Sequence, residues 1–281
     1  MSRVIALGTA LIALCVAGCG SRSDDGKKAD AAQQSGKGRF SNPTRIDNPY
    51  FPLRPGTRYT LGGTEYQGGE KVTHHVVFVV TDLTKTVDGV RARVVWDRDY
   101  AEGKLAEGEL AFDAQDDAGN VWSYGEYPEE YEAKKPPVAP ATWFPGLAGA
   151  KPGILMLAAP RPGGASYLQG LAPTIQFADR ARVTKKLKRL CVPAGCYDDV
   201  IVIEEWTPEE PGAKQLKYHA PGVGTIRVGF ESGAQRESLA LERVEQLDPG
   251  DLAQVHKQVL KIDKRGYTVS KKLYGRTPRV R

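Results

Sequence analysis

The chain has 281 residues, of which 41% are hydrophobic and 26% charged, and its formal net charge at neutral pH is +5. These proportions are those of an ordinary folded protein and exclude a wholly disordered chain. The length allows one large β domain or two small ones.

The first predicted element is an export signal. Arg3 precedes the apolar run Ile5–Val16, which is too short to span a bilayer because spanning takes ~20 apolar residues. The sequence VAGC, Val16 to Cys19, resembles a bacterial lipobox. It implies cleavage after residue 18 and acylation of Cys19 with palmitate-type chains, so the chain is expected outside the cytoplasm, anchored to a bacterial membrane. An ordinary secretory signal and a retained anchor are the alternatives.

Residues 19–40 are small and polar and have nothing to bury, so they are predicted to form a flexible tether. A β domain is expected over 41–247, and a helix with a basic tail over 248–281.

The β domain is predicted from apolar and polar residues that alternate with a period of two. In VRARVVWDRDY, Val90 to Tyr100, one side of the strand is apolar and the other carries Asp97 and Asp99. This is the pattern of a strand with one buried face. Similar runs are 57–61, 75–81, 109–114, 121–126, 199–206, 214–219, 225–231 and 237–243.

Short turns separate these runs, for example Asp88-Gly89, and short turns join antiparallel neighbours. The predicted fold is therefore mainly β, a curved antiparallel sheet forming a half-barrel or open barrel, since many twisted strands tend to curl.

The middle of the chain, 132–170, has many Pro, Gly and Ala residues and no sustained period, yet it carries large apolar residues. A loop this long and apolar must lie on something. It is expected either to cover one end of the sheet or to form a lid over a ligand cavity. The candidate lid residues are Trp143, Phe144, Leu155 and Met156.

Cys191 and Cys196 are separated by Val-Pro-Ala-Gly. In an oxidising compartment they are predicted to form a disulfide across a short turn. A metal pair is the alternative, although further ligands are not close in sequence.

Asp248 and Pro249 supply a helix N-cap and a first-turn proline, and apolar residues then recur at helical spacing. A short amphipathic helix is expected to fade near Gly266, and the basic remainder is predicted to be disordered. Along this segment Lys257, Lys261 and Lys264 are candidate contacts to an anionic membrane surface. A solvated helix end without a partner is the alternative.

The other polar residues give no complete catalytic or metal motif. His74 and His75 are neighbours in a strand and point to opposite faces, so they cannot chelate one ion together. The aspartates near Gly119 lack the EF-hand spacing for calcium. Glu204 is expected to face the core and to pair with a cation such as Lys217 or Arg227. No nucleophile elbow, phosphate loop or dinucleotide fingerprint occurs.

Three motifs resemble those of an uncharacterised family of secreted and lipid-anchored bacterial proteins, over about 48–247. They are NPYFPLRPGT from Asn48, DDVIVIEEWTP from Asp198 and YHAPGVGTIR from Tyr218. The resemblance implies a β-rich half-barrel and brings no established activity. Arg58, the cysteine pair and the basic extension depart from the family pattern.

The function expected from these observations is a non-enzymatic envelope binding module for an apolar ligand or lipid, without a cofactor or nucleic-acid partner. A protein that docks on an envelope partner is the alternative, and a hydrolase using Glu204 or Glu205 is a third hypothesis.

Overall fold

The computed structural model describes residues 38–67, 69–210, 212–233 and 236–281. The predicted leader, Cys19 and nearly all of the predicted tether lie outside these residues. Within them the chain forms thirteen strands and one α-helix. The strands are β1 (Thr57–Gln67), β2 (Glu70–Val87), β3 (Val90–Ala101), β4 (Lys104–Gln115), β5 (Val121–Glu130), β6 (Lys151–Met156), β7 (Tyr167–Leu168), β8 (Gly170–Leu171), β9 (Arg180–Val192), β10 (Gly195–Trp206), β11 (Lys214–Ala220), β12 (Gly224–Ser232) and β13 (Ser238–Gln246), and the helix is α1 (Pro249–Val269).

All thirteen strands belong to one antiparallel sheet in the order β7-β9-β10-β11-β12-β13-β1-β2-β3-β4-β5-β6-β8. The order is linear, so the sheet is open, with β7 and β8 at its two ends. The predicted mainly β fold with an open antiparallel sheet and a C-terminal helix is confirmed.

The register of β3 against β4 defines two faces of the sheet. Asp97 lies opposite Glu109 and Val95 opposite Ala111, on the side that we call the inner face. Val94 lies opposite Phe112 on the other side, the outer face. Both Val94 and Phe112 are fully buried, and so is the carboxylate pair, so β3 is covered on both faces. The expectation of one buried face for this strand was wrong.

Helix α1 covers the outer face. Asp248 caps it by accepting a hydrogen bond from the backbone N–H of Asp251, and Pro249 occupies its first turn, as predicted. The helix buries Val259 and Ile262 against the sheet. It extends three residues past Gly266 rather than fading there.

Two ion pairs, one buried and one with a partly exposed arginine, fix α1 to the outer face. Lys85 Nζ lies 3.2 Å from Asp263 Oδ1 and also donates to the carbonyl of Pro278 at 2.6 Å. Arg265 pairs with both carboxylate oxygens of Glu129, whose side chain is fully buried. Each of these charges therefore has an opposite charge within the protein.

The segment after α1 is ordered, so the predicted disordered tail was wrong. Tyr274 is fully buried and donates its hydroxyl to Asp263 at 2.7 Å. Arg281 exchanges two backbone hydrogen bonds with Thr84, at 2.7 and 2.9 Å. The apolar residues of this segment, Tyr274 and Val280, pack into the core, which the count of basic residues alone concealed.

The middle segment runs along the part of β5 that β6 does not pair with. Trp143 exchanges backbone hydrogen bonds with Glu126. Gly125 permits this approach, since a Cβ there would lie 2.5 Å from the carbonyl oxygen of Trp143, and its φ is +115°. Because adjacent residues point to opposite sides, Trp143 reaches the inner face and Phe144 packs on Phe112 at the outer face.

The predicted disulfide between Cys191 and Cys196 is present, and the two residues lie directly opposite each other in the β9–β10 hairpin. The turn of this hairpin reaches β13, where the N–H of Ala194 donates to the carbonyl of Leu241 at 3.0 Å. Among the described residues, β12 and β13 are paired only at Arg227–Ala240 and Val228–Leu239.

Candidate functional site

The candidate site is a cavity of about 100 Å³ on the inner face, partly open to solvent. Strands from both halves of the sheet contribute to it, β2 to β5 on one side and β10 to β12 on the other. Side chains so distant in strand order can line one cavity because the sheet curves around it. The principal lining residues are Phe51, Leu53, Phe78, Val95, Asp97, Glu109, Ala111, Asp113, Glu126, Leu155, Gln169, Phe177, Glu205, Lys217 and His219.

The apolar part of the wall comes from segments far apart in sequence. Phe51 and Leu53 belong to the segment before β1, Phe78 to β2, and Leu155 and Phe177 to the part after β5. Phe78 also stacks on Tyr59, with ring centroids 4.4 Å apart. This wall offers aromatic and aliphatic surface to a ligand.

The polar part of the wall is a group of carboxylic acids on β3, β4 and β5. Asp97 and Glu109 form a direct cross-strand pair, and the next inner-face pair is Asp99 with Glu107. Glu126 on β5 lies opposite Ala111, between Glu109 and Asp113 in the register. All six acids are buried. Like charges directly opposite each other destabilise a sheet, so this arrangement opposes folding when the acids are ionised.

Burial is the main reason why these acids hold their protons. It raises the pKa of Asp97 to about 7, with a further contribution from Asp99, and the pKa of Glu126 to about 7 against the hydrogen bond from Trp143. Burial and Glu126 raise the pKa of Asp113 to about 8. For Glu109, burial and the nearby acids raise the pKa well above the ordinary value.

The opposite wall carries an ion pair and a histidine. Lys217 Nζ lies 2.7 Å from Glu205 Oε2, and Gln169 donates to Glu205 Oε1 at 2.8 Å. Burial, with the help of Lys217, lowers the pKa of His219 to about 3, so this ring is neutral at physiological pH. Thr225 Oγ1 lies 3.3 Å from its Nδ1.

A buried histidine lies beyond the cavity on the same face. His74 Nε2 is 2.5 Å from Asp99 Oδ1, and His74 Nδ1 is 3.1 Å from Glu237 Oε1. Burial opposes its protonation, but the two carboxylates outweigh burial and raise the pKa of His74 to about 10. His74 is therefore a cation at neutral pH and is neutralised within the protein.

Several polar atoms at the cavity lack a hydrogen-bond partner among the described residues. They include Asp97 Oδ1, Glu109 Oε2, Gln169 Oε1 and His219 Nε2, each in a side chain that is less than one-tenth exposed. An unpartnered buried acceptor costs about 1–3 kcal/mol. These atoms mark the place where a bound molecule would supply hydrogen-bond donors.

The four candidate lid residues lie at different places. Leu155 lines the cavity. Trp143 lies behind the wall and donates its indole N–H to Glu126 Oε2 at 3.0 Å. Phe144 and Met156 are fully buried in the core. The structure therefore brings one of the four to the cavity and a second to its carboxylate wall.

Glu204 and Glu205 face apart, as adjacent strand residues must. Glu204 pairs with Arg182 at 2.8 Å and Lys214 at 3.5 Å, and neither of the partners expected from sequence contacts it. Lys217 instead pairs with Glu205 at the cavity. The expected ion pair of a buried Glu204 is therefore present, with Arg182 and Lys214 as its cations in place of the two examples named from sequence.

The aspartates near Gly119 have structural partners. Asp116 accepts hydrogen bonds from Asn120 and from the indole of Trp122, while Asp117 accepts from Ser41. In the parts of the chain that the structure describes, no three Asp, Glu, His or Cys side chains are grouped so that they could hold a metal ion.

Lys257, Lys261 and Lys264 are exposed on the solvent side of α1, and Leu260, which lies among them, is 42% exposed. This side of the helix faces away from the cavity. Across the described ranges, no helix is long and apolar enough to cross a membrane.

Sequence reasoning missed most of the cavity acids. The signal was present as DRD in β3 followed by EGE in β4, since acids at alternate positions of two consecutive strands share one face. That face was expected to be solvated because the covering segments lie far away in sequence. His74, interpreted as an ordinary strand residue, and His219, which belongs to no metal motif in the sequence, are buried on the same inner face.

No family model matches the sequence, and no curated protein matches it. Two solved structures resemble the fold. A protein from Bacteroides fragilis described as exported, with a YmcC-like fold, is 15% identical, with a TM-score of 0.39 over 70% of this chain and 98% of that one. A protein from Parabacteroides distasonis described as a lipoprotein is 11% identical, with a TM-score of 0.38 over 70% and 99%. At this similarity they identify neither a family nor an activity.

Proposed function

We propose that the protein is an exported, lipid-anchored binding protein of the bacterial envelope, and that the inner-face cavity holds its ligand. The observation that carries the proposal is the cavity itself, where an apolar wall meets buried polar atoms that have no partner in the described protein. A concave site with apolar lining and a few convergent polar groups is typical of small-molecule binding.

The proposed location rests on the sequence. The apolar leader that ends at Cys19 resembles a lipoprotein signal. The disulfide of the β9–β10 hairpin fits this location, since such bonds persist in oxidising compartments.

The size and chemistry of the cavity favour a small ligand over a whole lipid. A volume of about 100 Å³ lies below the ~300–1,000 Å³ of sites for drug-sized ligands. Carboxylic acids along β3 to β5 also make one wall unsuitable for an acyl chain, because burying them against hydrocarbon leaves their oxygens without partners. The ligand is therefore proposed to have both an apolar and a polar side.

Native mass spectrometry of the full-length protein tests the cavity. We expect a small molecule to co-purify with the wild type and to be lost from Ala111→Leu, which fills the cavity. Ala240→Leu is the matched control, because Ala240 is half-buried on β13 and does not line the cavity. Equal ligand content in both variants, or no bound mass and no ligand found by thermal-shift screening, would overturn the assignment.

Intact-mass measurement tests the anchor. We expect the mature protein to begin at Cys19 with added diacylglyceryl mass, and Cys19→Ser to be released from membranes. A wild-type protein that retains its leader, or whose residue 19 is unmodified, would contradict the proposed location without bearing on the cavity.

A further inference from the structure

Within the described ranges, the cavity walls lack hydrogen-bond donors for some of their acceptors, and this indicates the chemical class of the ligand. Three cavity atoms without a partner in the described chain, Asp97 Oδ1, Glu109 Oε2 and Gln169 Oε1, are hydrogen-bond acceptors when the two acids are ionised. His219 Nε2, on the opposite wall, also has no partner among the described residues. Since Gln169 is not part of the acidic group, the deficit of donors extends across the cavity. A ligand that removes this deficit must carry N–H or O–H groups.

The charge of the cavity walls also favours a ligand with positively charged donor groups. Five carboxyl groups and one lysine, Lys217, line the cavity among the described residues. Lys217 contacts Glu205 at 2.7 Å, so it already has an anionic partner. The nearby cation His74 lies between Asp99 and Glu237.

Asp97 and Glu109 form no ion pair with any described lysine, arginine or histidine. Arg98, the next residue after Asp97, is directed to the outer face, where its guanidinium lies 4.2 Å from the centre of the Trp96 ring. The cross-strand acid pair therefore faces the cavity without a cation.

The apolar wall indicates that the rest of the ligand is apolar. Phe78 lies directly opposite Asp97 in the β2–β3 register, and Phe51, Phe177 and Leu155 complete this side. Aromatic faces attract cations as well as alkyl groups. A cavity of about 100 Å³ is smaller than the ~150 Å³ that encloses a benzene molecule, so it accommodates roughly four or five heavy atoms.

We infer that the cavity binds the primary ammonium group of a small free alkylamine, with the nitrogen between Asp97 and Glu109 and the carbon chain along the phenylalanine wall. This inference rests on the proposed binding function and names its ligand class. A primary ammonium supplies three N–H donors, which a quaternary ammonium lacks. An organic cation is favoured over a metal ion because no described group of three ligating side chains is present.

Binding is coupled to proton release. Without a ligand Asp97 is about half protonated at pH 7, because burial raises its pKa to about 7, and burial raises the pKa of Glu109 well above its ordinary value. An incoming ammonium stabilises the carboxylate, and the displaced proton leaves to solvent. Affinity therefore rises about tenfold in total between pH 6 and pH 8 if the displaced proton is that of Asp97, and it levels off above this pKa. The titratable and charged groups that face this site are Asp97 and Asp99 on β3, Glu107, Glu109 and Asp113 on β4, Glu126 on β5, His74 on β2, Glu205 on β10, Lys217 and His219 on β11 and Glu237 before β13.

Isothermal titration calorimetry of the full-length protein with butylammonium chloride tests the inference. We expect binding that strengthens from pH 6 to pH 8, with proton release detected by comparing buffers of different ionisation enthalpy. We expect 1-butanol and tetramethylammonium to bind at least about tenfold more weakly, and butyrate not to bind, because each lacks the charge, the donors or both.

Variants locate the ammonium. Glu109→Gln and Asp97→Asn are expected to lower butylammonium affinity at least about tenfold while the chain stays folded, as circular dichroism would show. Glu242→Gln is the matched control, since Glu242 is exposed on β13. Equal weakening in the control would overturn the assignment.

The outcomes separate this inference from the proposed function. Butanol or butyrate binding as tightly as butylammonium would overturn the ammonium assignment and leave a ligand cavity. No binding of any probe, together with no mass lost from Ala111→Leu, would overturn both. Tighter binding of Nα-acetyl-lysine methylamide than of butylammonium would overturn a free amine in favour of a lysine side chain.

Discussion

The two faces of the sheet differ in whether their buried charged groups have an oppositely charged partner. On the outer face, Lys85 contacts Asp263, and Arg265 contacts Glu129, so each buried charge is neutralised within the chain. On the inner face, Asp97 and Glu109 lie side by side without a cationic partner in the described protein. Buried charges that are paired are explained by structure alone, whereas unpaired ones require either a retained proton or a ligand.

The largest expected effect comes from breaking the pairing on the outer face. Asp263→Ala leaves Lys85 buried without its anion and removes the acceptor of Tyr274, so it should lower the free energy of unfolding by about 3–5 kcal/mol. Urea denaturation measures this. The double variant Lys85→Met with Asp263→Leu should recover most of the loss, and a loss below ~1 kcal/mol in the single variant would contradict the structural role.

Raising the pH should weaken the unliganded protein through the inner face. The acids Asp97, Asp113 and Glu126 have folded pKa values of about 7, 8 and 7, above their unfolded values near 4. Their stabilisation is therefore present at low pH and is lost as pH rises through the folded values. Between about pH 6.5 and 8 the free energy of unfolding should fall by about 2 kcal/mol or more.

The groups with the opposite effect act mainly outside this window. The lowered pKa of His219, about 3 because of burial, acts below it, and the pKa of Lys85, which burial lowers to about 8, acts mainly above it. Against the effect of burial, two carboxylates raise the pKa of His74 to about 10, so His74 acts within the window and in the same direction as the acids. The comparison with Asp113→Asn is therefore needed to identify the contribution of the acids. Thermal unfolding across the window measures the slope. A flat profile in the wild type, or an unchanged slope in Asp113→Asn, would show that these acids are ionised in the folded state.

Neutralising one inner-face acid should stabilise the protein, whereas removing the outer-face acid Asp263 should destabilise it. Asp97→Asn keeps the shape and removes the ionisable group, so we expect its stabilising effect to be about 2 kcal/mol larger at pH 8 than at pH 5.5, because folded Asp97 loses its proton between these pH values. Chemical denaturation at the two pH values measures it. Asp198→Asn, which removes an exposed carboxylate, is the control and should change neither value by more than ~0.5 kcal/mol.

The smallest effect concerns charges that belong to neither buried face. Lys257, Lys261 and Lys264 on the solvent side of α1 should each contribute about 1 kcal/mol to contact with anionic lipid. Using the full chain with Cys19→Ser, Lys261→Gln should weaken binding to phosphatidylglycerol vesicles about fivefold. Lys104→Gln, at an exposed turn, is the control. Equal binding by both variants would favour a solvated helix without a membrane partner.

The sequence predicted those features that depend on neighbouring residues. Alternation located β3, the Asp248-Pro249 pair located the start of α1, and the spacing of Cys191 and Cys196 identified the disulfide. Features made by distant segments were missed. The burial of Asp97 depends on Phe51 and Leu155, which come from before β1 and from β6, and no local pattern reports such a cover.

The C-terminal segment is a second case in which contacts between distant residues were not predicted from the local sequence. Its nine basic residues between Lys257 and Arg281 suggested a solvated tail. The residues that order this segment are instead Tyr274 and Val280. They are buried by contacts with distant parts of the chain, which include Lys85 and the outer face of β2 to β4.

The short pairing between β12 and β13 has a mechanical consequence. With two residue pairs in the described sheet, it is as short as the pairings of the terminal strands β7 and β8, although it lies in the middle of the sheet, next to the tip of the disulfide-linked hairpin. It separates the strands that bear the acids of β3 to β5 from those that bear Glu205 and His219. Separating β12 from β13 therefore breaks few backbone hydrogen bonds. A molecule that contacts both halves of the sheet would then stabilise the pairing of β12 with β13. Backbone amides near Val228 and Leu239 would exchange with deuterium more slowly when it is bound.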